Sequence, residues 1–209
     1  MRILGIDPGL ETTGYGIIED TSTSLGMVRP SAGSGRMVSV VEPIRGMVSP
    51  SNHKAFASRN CPPGAGGNFK LIEAGIIKTH ANTPIQARLK KIFDALTEII
   101  TEHEPGVLVL EKIYSHYKHP TTAILMAHAR AAVCLACGVH EVRLINYPST
   151  KIKKTITGNG HASKQQVQRM VQNILKLKYS PEPVDVSDAL AMAISYCYMN
   201  KKQKIGNRI

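Results

Sequence analysis

The sequence predicts an α/β fold, a mixed five-stranded sheet with helices on both faces. Three β-branched apolar runs, at residues 3–6, 16–19 and 69–78, precede any helical period. From residue 83 onward, helical patterns alternate with short apolar runs. The run GVLVL at 106–110 is apolar without alternation, as in a strand covered on both faces. An antiparallel meander joined to parallel units accounts for all three.

Each element follows from local signals. The runs at 3–6 and 16–19 are separated by a Pro/Gly-rich turn region, so they read as neighbouring strands. Residues 21–68 break the pattern: of 48 positions 8 are Ser, 7 Gly and 5 Pro, Phe56 is the one aromatic, and no period persists. That composition predicts a flexible insert between strands two and three, with a charge of +4 from Arg29, Arg36, Arg45, Lys54 and Arg59 against Glu42. A hairpin tip tolerates such length because closure entropy grows only logarithmically. After the strand at 69–78, Thr83 and Pro84 mark a helix start, with Thr as cap and Pro in the first turn. Ile85, Leu89, Ile92, Phe93, Leu96, Ile99 and Ile100 then recur at steps of three and four, and the helix stops near Pro105. A helix over 121–137 ended by Gly138, a strand at 142–147, a basic helical stretch from Ser149 and helices over 163–177 and 185–199 complete the order. The chain divides into one domain over 1–199 and a basic, disordered tail over 200–209.

The 26 Lys and Arg against 15 Asp and Glu give a net charge of +11, a field that attracts polyanions such as nucleic acid or an anionic membrane. No apolar stretch reaches the ~20 uncharged residues of a membrane span, so a cytoplasmic protein with no membrane partner is expected. Four scattered cysteines argue against a disulfide framework. Cys134 and Cys137 form a CxxC inside an Ala-rich helical segment, where that spacing stacks two small residues on one face. His116 and His119 lack a partner pair at ligand spacing and read as loop histidines near a polyanion.

Four carboxylates stand out. Asp7 and Glu111 each close a buried strand, where desolvation and mutual repulsion oppose ionisation unless a cation compensates. Asp185 and Asp188 lie three apart on one face of the last helix, beside Ala189, Ala191 and Ala193, whose small side chains permit close approach to a sheet. Individually, an Asx turn before Pro8 and a helix cap at Asp185 would explain them. Jointly they form an oxygen-donor set that could hold two Mg²⁺ ions, the arrangement that activates water for phosphodiester cleavage.

ILGIDPGLETTGYGII, VLVLEKIY, TKIKKTITGNGHASKQQVQRMV and DVSDALAMAIS together resemble the signatures of the RuvC-type Holliday-junction resolvases, within the ribonuclease-H-like (retroviral-integrase) superfamily. The likeness spans about 1–20 and 69–199, and a long insert stands where the family hairpin is short. It implies a ribonuclease-H-like domain with catalytic, metal-holding carboxylates at Asp7, Glu111, Asp185 and Asp188. It further implies lysines at the scissile phosphate at Lys153 and Lys164, and an aromatic that stacks on bases at the crossover, Tyr114. Also implied are two Mg²⁺ per subunit replaceable by Mn²⁺, a homodimer on four-way junction DNA, and partnership with the RuvAB branch-migration complex. Seven basic residues and no acid occupy 151–180; of these Lys151, Lys153, Lys154, Lys164 and Arg169, with Lys118 after Tyr114, are expected to track DNA phosphates.

Two other functions fit parts of the chain. DPGLETTGYG is similar to the phosphate hairpin of actin-like and sugar-kinase ATPases, but 209 residues hold one such lobe and no second glycine-rich loop follows. A non-catalytic basic binding module would need the acids to be structural.

Overall fold

The computed structural model describes residues 1–23, 42–43, 68–112 and 120–206. The flexible insert expected over 21–68 falls mostly outside them, as do Tyr114, Lys118, His116 and His119. Five long strands form the sheet: β1 (Arg2–Asp7), β2 (Thr12–Asp20), β4 (Phe69–Lys78), β5 (Val107–Glu111) and β6 (Arg143–Tyr147). A two-residue strand, β3 (Glu42–Pro43), pairs antiparallel with β4 at one edge, giving the order β3-β4-β2-β1-β5-β6. β4, β2 and β1 make the antiparallel meander, and β1, β5 and β6 run parallel, as the element order predicts.

The inner strands carry apolar side chains on both faces because both are covered. Leu4, Ile6, Ile17, Leu108 and Leu110 pack on α1 (Ile85–His103) and α2 (Pro120–Val139). Ile3, Ile18, Val107 and Val109 pack on α3 (Ser149–Thr157), α4 (Lys164–Leu175) and α5 (Val184–Gly206). α5 is the central helix of that second layer, buried almost without interruption from Val186 to Tyr198.

The close seating of α5 explains Gly5 and Gly14, the second of which falls in the turn region expected between the runs at 3–6 and 16–19. The turn is shorter, Pro8–Glu11, and Gly14 and Gly16 lie within β2. A Cβ on Gly5 would stand 1.9 Å from the Ala189 carbonyl oxygen, and one on Gly14 would stand 2.3 Å from that of Asp185. β1 and β2 therefore present bare backbone to the helix, and only glycine permits the approach.

Several boundaries differ from expectation. Thr83 does not cap α1; Pro84 does, with extended backbone (φ −53°, ψ 143°) and no side-chain bond, because its fixed φ suits the residue just before the first helical turn. α4 starts with a full capping box, Ser163 accepting from the Gln166 amide and the Gln166 side chain accepting from the Ser163 amide. Gly138 does not end α2, which continues to Val139. Nor does α5 stop at Met199: it runs to Gly206, and Lys201 reaches back to Asp20 (3.4 Å) and over the Phe69 ring, so the tail expected from residue 200 begins as helix.

α2 has 20 residues and an 18-residue window of mean hydropathy 1.6, long and apolar enough by length and composition to cross a membrane, although Arg130 interrupts its uncharged run. Here it is a layer of the fold, with Ala129, Ala132, Val133, Ala136 and Cys137 buried in the core.

Gly5→Ala should lower unfolding stability by about 3 kcal/mol or more, since neither backbone can yield locally. Gly138→Ala, whose added carbon meets nothing within 4 Å, should be neutral or slightly stabilising. Urea unfolding of both variants checks this; equal midpoints would show that α5 does not sit on β1 as described.

Candidate active site

Parallel strands of such a sheet end together, and side chains at their carboxyl ends share one rim. Asp7 closes β1 and Glu111 closes β5, the neighbouring parallel strand. In the antiparallel pairing, Asp7 stands opposite Gly14, and Gly14 in turn admits the backbone of Asp185. This chain of contacts brings the first turn of α5 to the rim, and Asp188, one turn on, faces the same way.

A cleft of about 410 Å³ results, and all four predicted carboxylates line it: Asp7, Glu111, Asp185 and Asp188. Lys153 from α3 and Lys164 from the start of α4 line it too. Six residues from five elements of the fold thus meet at one opening. Lys151, Lys154 and Arg169 lie exposed on α3 and α4, and Lys151 stacks on the Tyr147 ring at 5.1 Å. Tyr114 and Lys118 belong to the undescribed segment that follows the rim.

The electrostatics are those of crowded acids with partial compensation. Burial pushes the Asp7 carboxyl up from 3.8 to about 7, with repulsion from Asp188, Asp185 and Glu111 acting in the same direction and Lys164 opposing. Glu111 is also raised, first by burial, while a hydrogen bond from Ser149 works the other way. Asp188 is raised by burial against the pull of Lys164, whose Nζ stands 3.5 Å from Oδ2.

The donor set consists of hard carboxylate oxygens in a half-buried cleft, with one acid raised to about 7 by burial and by its acidic neighbours; that chemistry fits a divalent metal such as Mg²⁺. Among the described residues, no three His, Cys, Asp or Glu side chains stand as a finished cage for one ion. Carboxylates that repel one another separate until a cation draws them in, so the donor set fits the metal in kind and position without being closed around it.

Two contributors escaped the sequence reading. Ser149 was read only as a helix start, yet its side chain bonds Glu111. Arg130, the lone arginine in the Ala-rich α2, donates to the Glu111 carbonyl oxygen at 2.6 Å. A single charge in an otherwise apolar helix was the available signal.

Comparison with known proteins agrees with the geometry. The family model "Crossover junction endodeoxyribonuclease RuvC" matches residues 3–44 and 63–196. The RuvC protein of Rhodopirellula baltica is 37% identical over 93% of this chain and 84% of its own length. That of Alkaliphilus metalliredigens is 30% identical over 98% of both. The Thermus thermophilus RuvC structure superposes with a TM-score of 0.71 at 23% identity over 97% of each chain, and its complex with Holliday junction substrate at 0.69 and 19%, which establishes the shared fold. On the family match across both halves of the chain and these relatives, this chain belongs to the crossover junction endodeoxyribonuclease RuvC family.

Proposed function

We propose that this protein is a structure-selective endonuclease that resolves four-way (Holliday) DNA junctions by paired, symmetric, metal-dependent nicking in recombination and repair. The observation that carries the reading is the meeting of four acids and two lysines at one cleft, in a member of a junction-endonuclease family.

Asp7, Glu111, Asp185 and Asp188 would hold two Mg²⁺ per subunit, or Mn²⁺, which shares the oxygen preference. Bound there, the ions would supply a hydroxide at neutral pH and neutralise the departing 3′ oxygen. Strand ends keep Asp7 and Glu111 from wandering, and the tight turn after Asp7 leaves the opening free for a phosphate. Lys164 and Lys153 add positive charge where the attacked phosphate grows more anionic. Lys151, Lys154 and Arg169 continue that charge outward as a phosphate track, to which Lys118 is assigned from the sequence, and Tyr114 takes the base-stacking position at the junction crossover by resemblance to the family.

Paired nicks in a substrate with two-fold symmetry call for two active sites related by a two-fold axis, hence a homodimer. The exposed face of α2 favours a second copy of this chain as its cover. Ile124, Leu135 and Val139 are each more than half exposed there (57%, 59% and 59%), and Met126 of the same helix lines the cleft. Membership of the family supports partnership with RuvAB and action in the cytoplasm. The protein should sediment as two chains, and Leu135→Glu should return it to one; an unchanged dimer would place the interface elsewhere.

On a synthetic four-way junction, wild type should cut with Mg²⁺ and not with chelator, and linear duplex should be cut far more slowly. Asp7→Asn should lose ~10³-fold or more in rate while still binding the junction, because removing an acid leaves the basic track intact. Cleavage by Asp7→Asn at the wild-type rate would contradict the metal site.

The raised carboxyl also predicts a pH effect. Between about 4 and 7 the folded protein keeps a proton on Asp7 that the unfolded chain has released, so unfolding free energy falls as pH rises through that window. In chelator, Asp7→Asn should therefore melt higher than wild type at pH near 8, with the gap closing toward pH about 4. A gap independent of pH would show that Asp7 is not the strained acid.

A further inference from the structure

We infer that Arg130 is a positioning residue that sets the direction of the Glu111 carboxylate by clamping the peptide plane after it. The inference rests on the nuclease reading above, since Glu111 matters as part of that cleft.

Glu111 is the last residue of β5, and after Lys112 the chain enters the undescribed segment 113–119. A side chain at a strand end points reliably only if its own backbone is fixed on the far side. Here the Glu111–Lys112 peptide is held from both edges. The Lys112 amide donates to the Tyr147 carbonyl of β6 at 2.7 Å. On the opposite edge, Arg130 Nη1 donates to the Glu111 carbonyl oxygen at 2.6 Å. The other arm of the same guanidinium, Nη2, donates to the Asn146 side-chain oxygen, and Asn146 is paired in register with Leu110, one residue before Glu111.

The planar fork thus joins α2 to two adjacent strand ends at once. A lysine's single ammonium cannot span both acceptors in the same way. Arg130 itself is placed firmly, because its neighbours Ala129, Ala132 and Val133 are buried against the sheet. It does not line the cleft, so its effect on chemistry must pass through Glu111.

Three variants test this in the full-length protein: Arg130→Met removes both bonds, Arg130→Lys retains a cation, and Asn146→Ala removes only the second acceptor. Mn²⁺ affinity is measured by calorimetry without DNA, single-turnover cleavage on saturating four-way junction, junction affinity in chelator, and the melting midpoint. Loss of an outer partner of a metal ligand typically costs ~10–100-fold in metal affinity or activity, so Arg130→Met should fall in that range on both counts. Its junction affinity in chelator should stay within about twofold, since charge-only contacts to DNA are not its role. Arg130→Lys should recover part of the Mn²⁺ affinity, and Asn146→Ala should lose less than Arg130→Met. Unchanged Mn²⁺ affinity in Arg130→Met overturns the inference, as does a loss of junction binding in chelator as large as the loss of cleavage. If Arg130→Met fails to fold, Arg130→Lys and Asn146→Ala decide it against wild type: weakened Mn²⁺ binding in both supports the inference, and wild-type Mn²⁺ affinity in both overturns it. A wild type that binds Mn²⁺ yet cuts no junction would sink the nuclease reading alone, while calorimetry would still judge Arg130.

Discussion

The contact on which the site depends is backbone against backbone. α5 lies directly on β1 and β2, with the Ala189 carbonyl over Gly5 and the Asp185 backbone over Gly14. Gly14 is the register partner of Asp7, so one close approach places the two aspartates of the helix beside the aspartate of the strand. A methyl group at either glycine would lift the helix and separate the acids. Packing and chemistry are therefore set by the same few atoms, and the alanines of α5 are the helix's half of the arrangement.

The cost of that placement is electrostatic. Burial and neighbouring acids hold Asp7 at about 7, and Lys164 and Lys153 relieve the cluster only in part. A buried acid that stays partly protonated near neutral pH is destabilising when charged and reactive toward cations, the common trade between stability and function at active sites. The +11 net charge works at longer range, drawing a polyanion toward a cleft whose floor is acidic. Lys151, Lys154 and Arg169 lie exposed on α3 and α4, the two helices that also send Lys153 and Lys164 to the cleft.

Much of this was legible in the sequence because the signals are local. GVLVL has no alternation since both its faces are covered, and DVSD has helical spacing. Asp7 and Glu111 were identifiable because a carboxylate ending an apolar strand needs a reason, and Asp185 and Asp188 because their spacing puts both on one helix face. What the sequence hid depends on contacts between distant segments. Gly14 falls in the expected turn region, and only the position of α5 reveals that it is a packing residue within β2. The role of Arg130 requires knowing that α2 crosses the ends of β5 and β6. The length of α5 was underestimated because Lys201, just beyond the expected end, gains its partners Asp20 and Phe69 from distant strands of the sheet. Thr83 looked like a cap because Thr-Pro is a common helix opening, whereas Pro84's extended backbone takes that place.

The account stands or falls on whether separated acids close around shared ions. Anomalous diffraction from crystals soaked in Mn²⁺ addresses it most directly. Two manganese peaks in the cleft lined by Asp7, Glu111, Asp185 and Asp188 are the predicted result. A cleft without manganese, or metal bound only outside it at fully loading concentrations, would contradict the central claim.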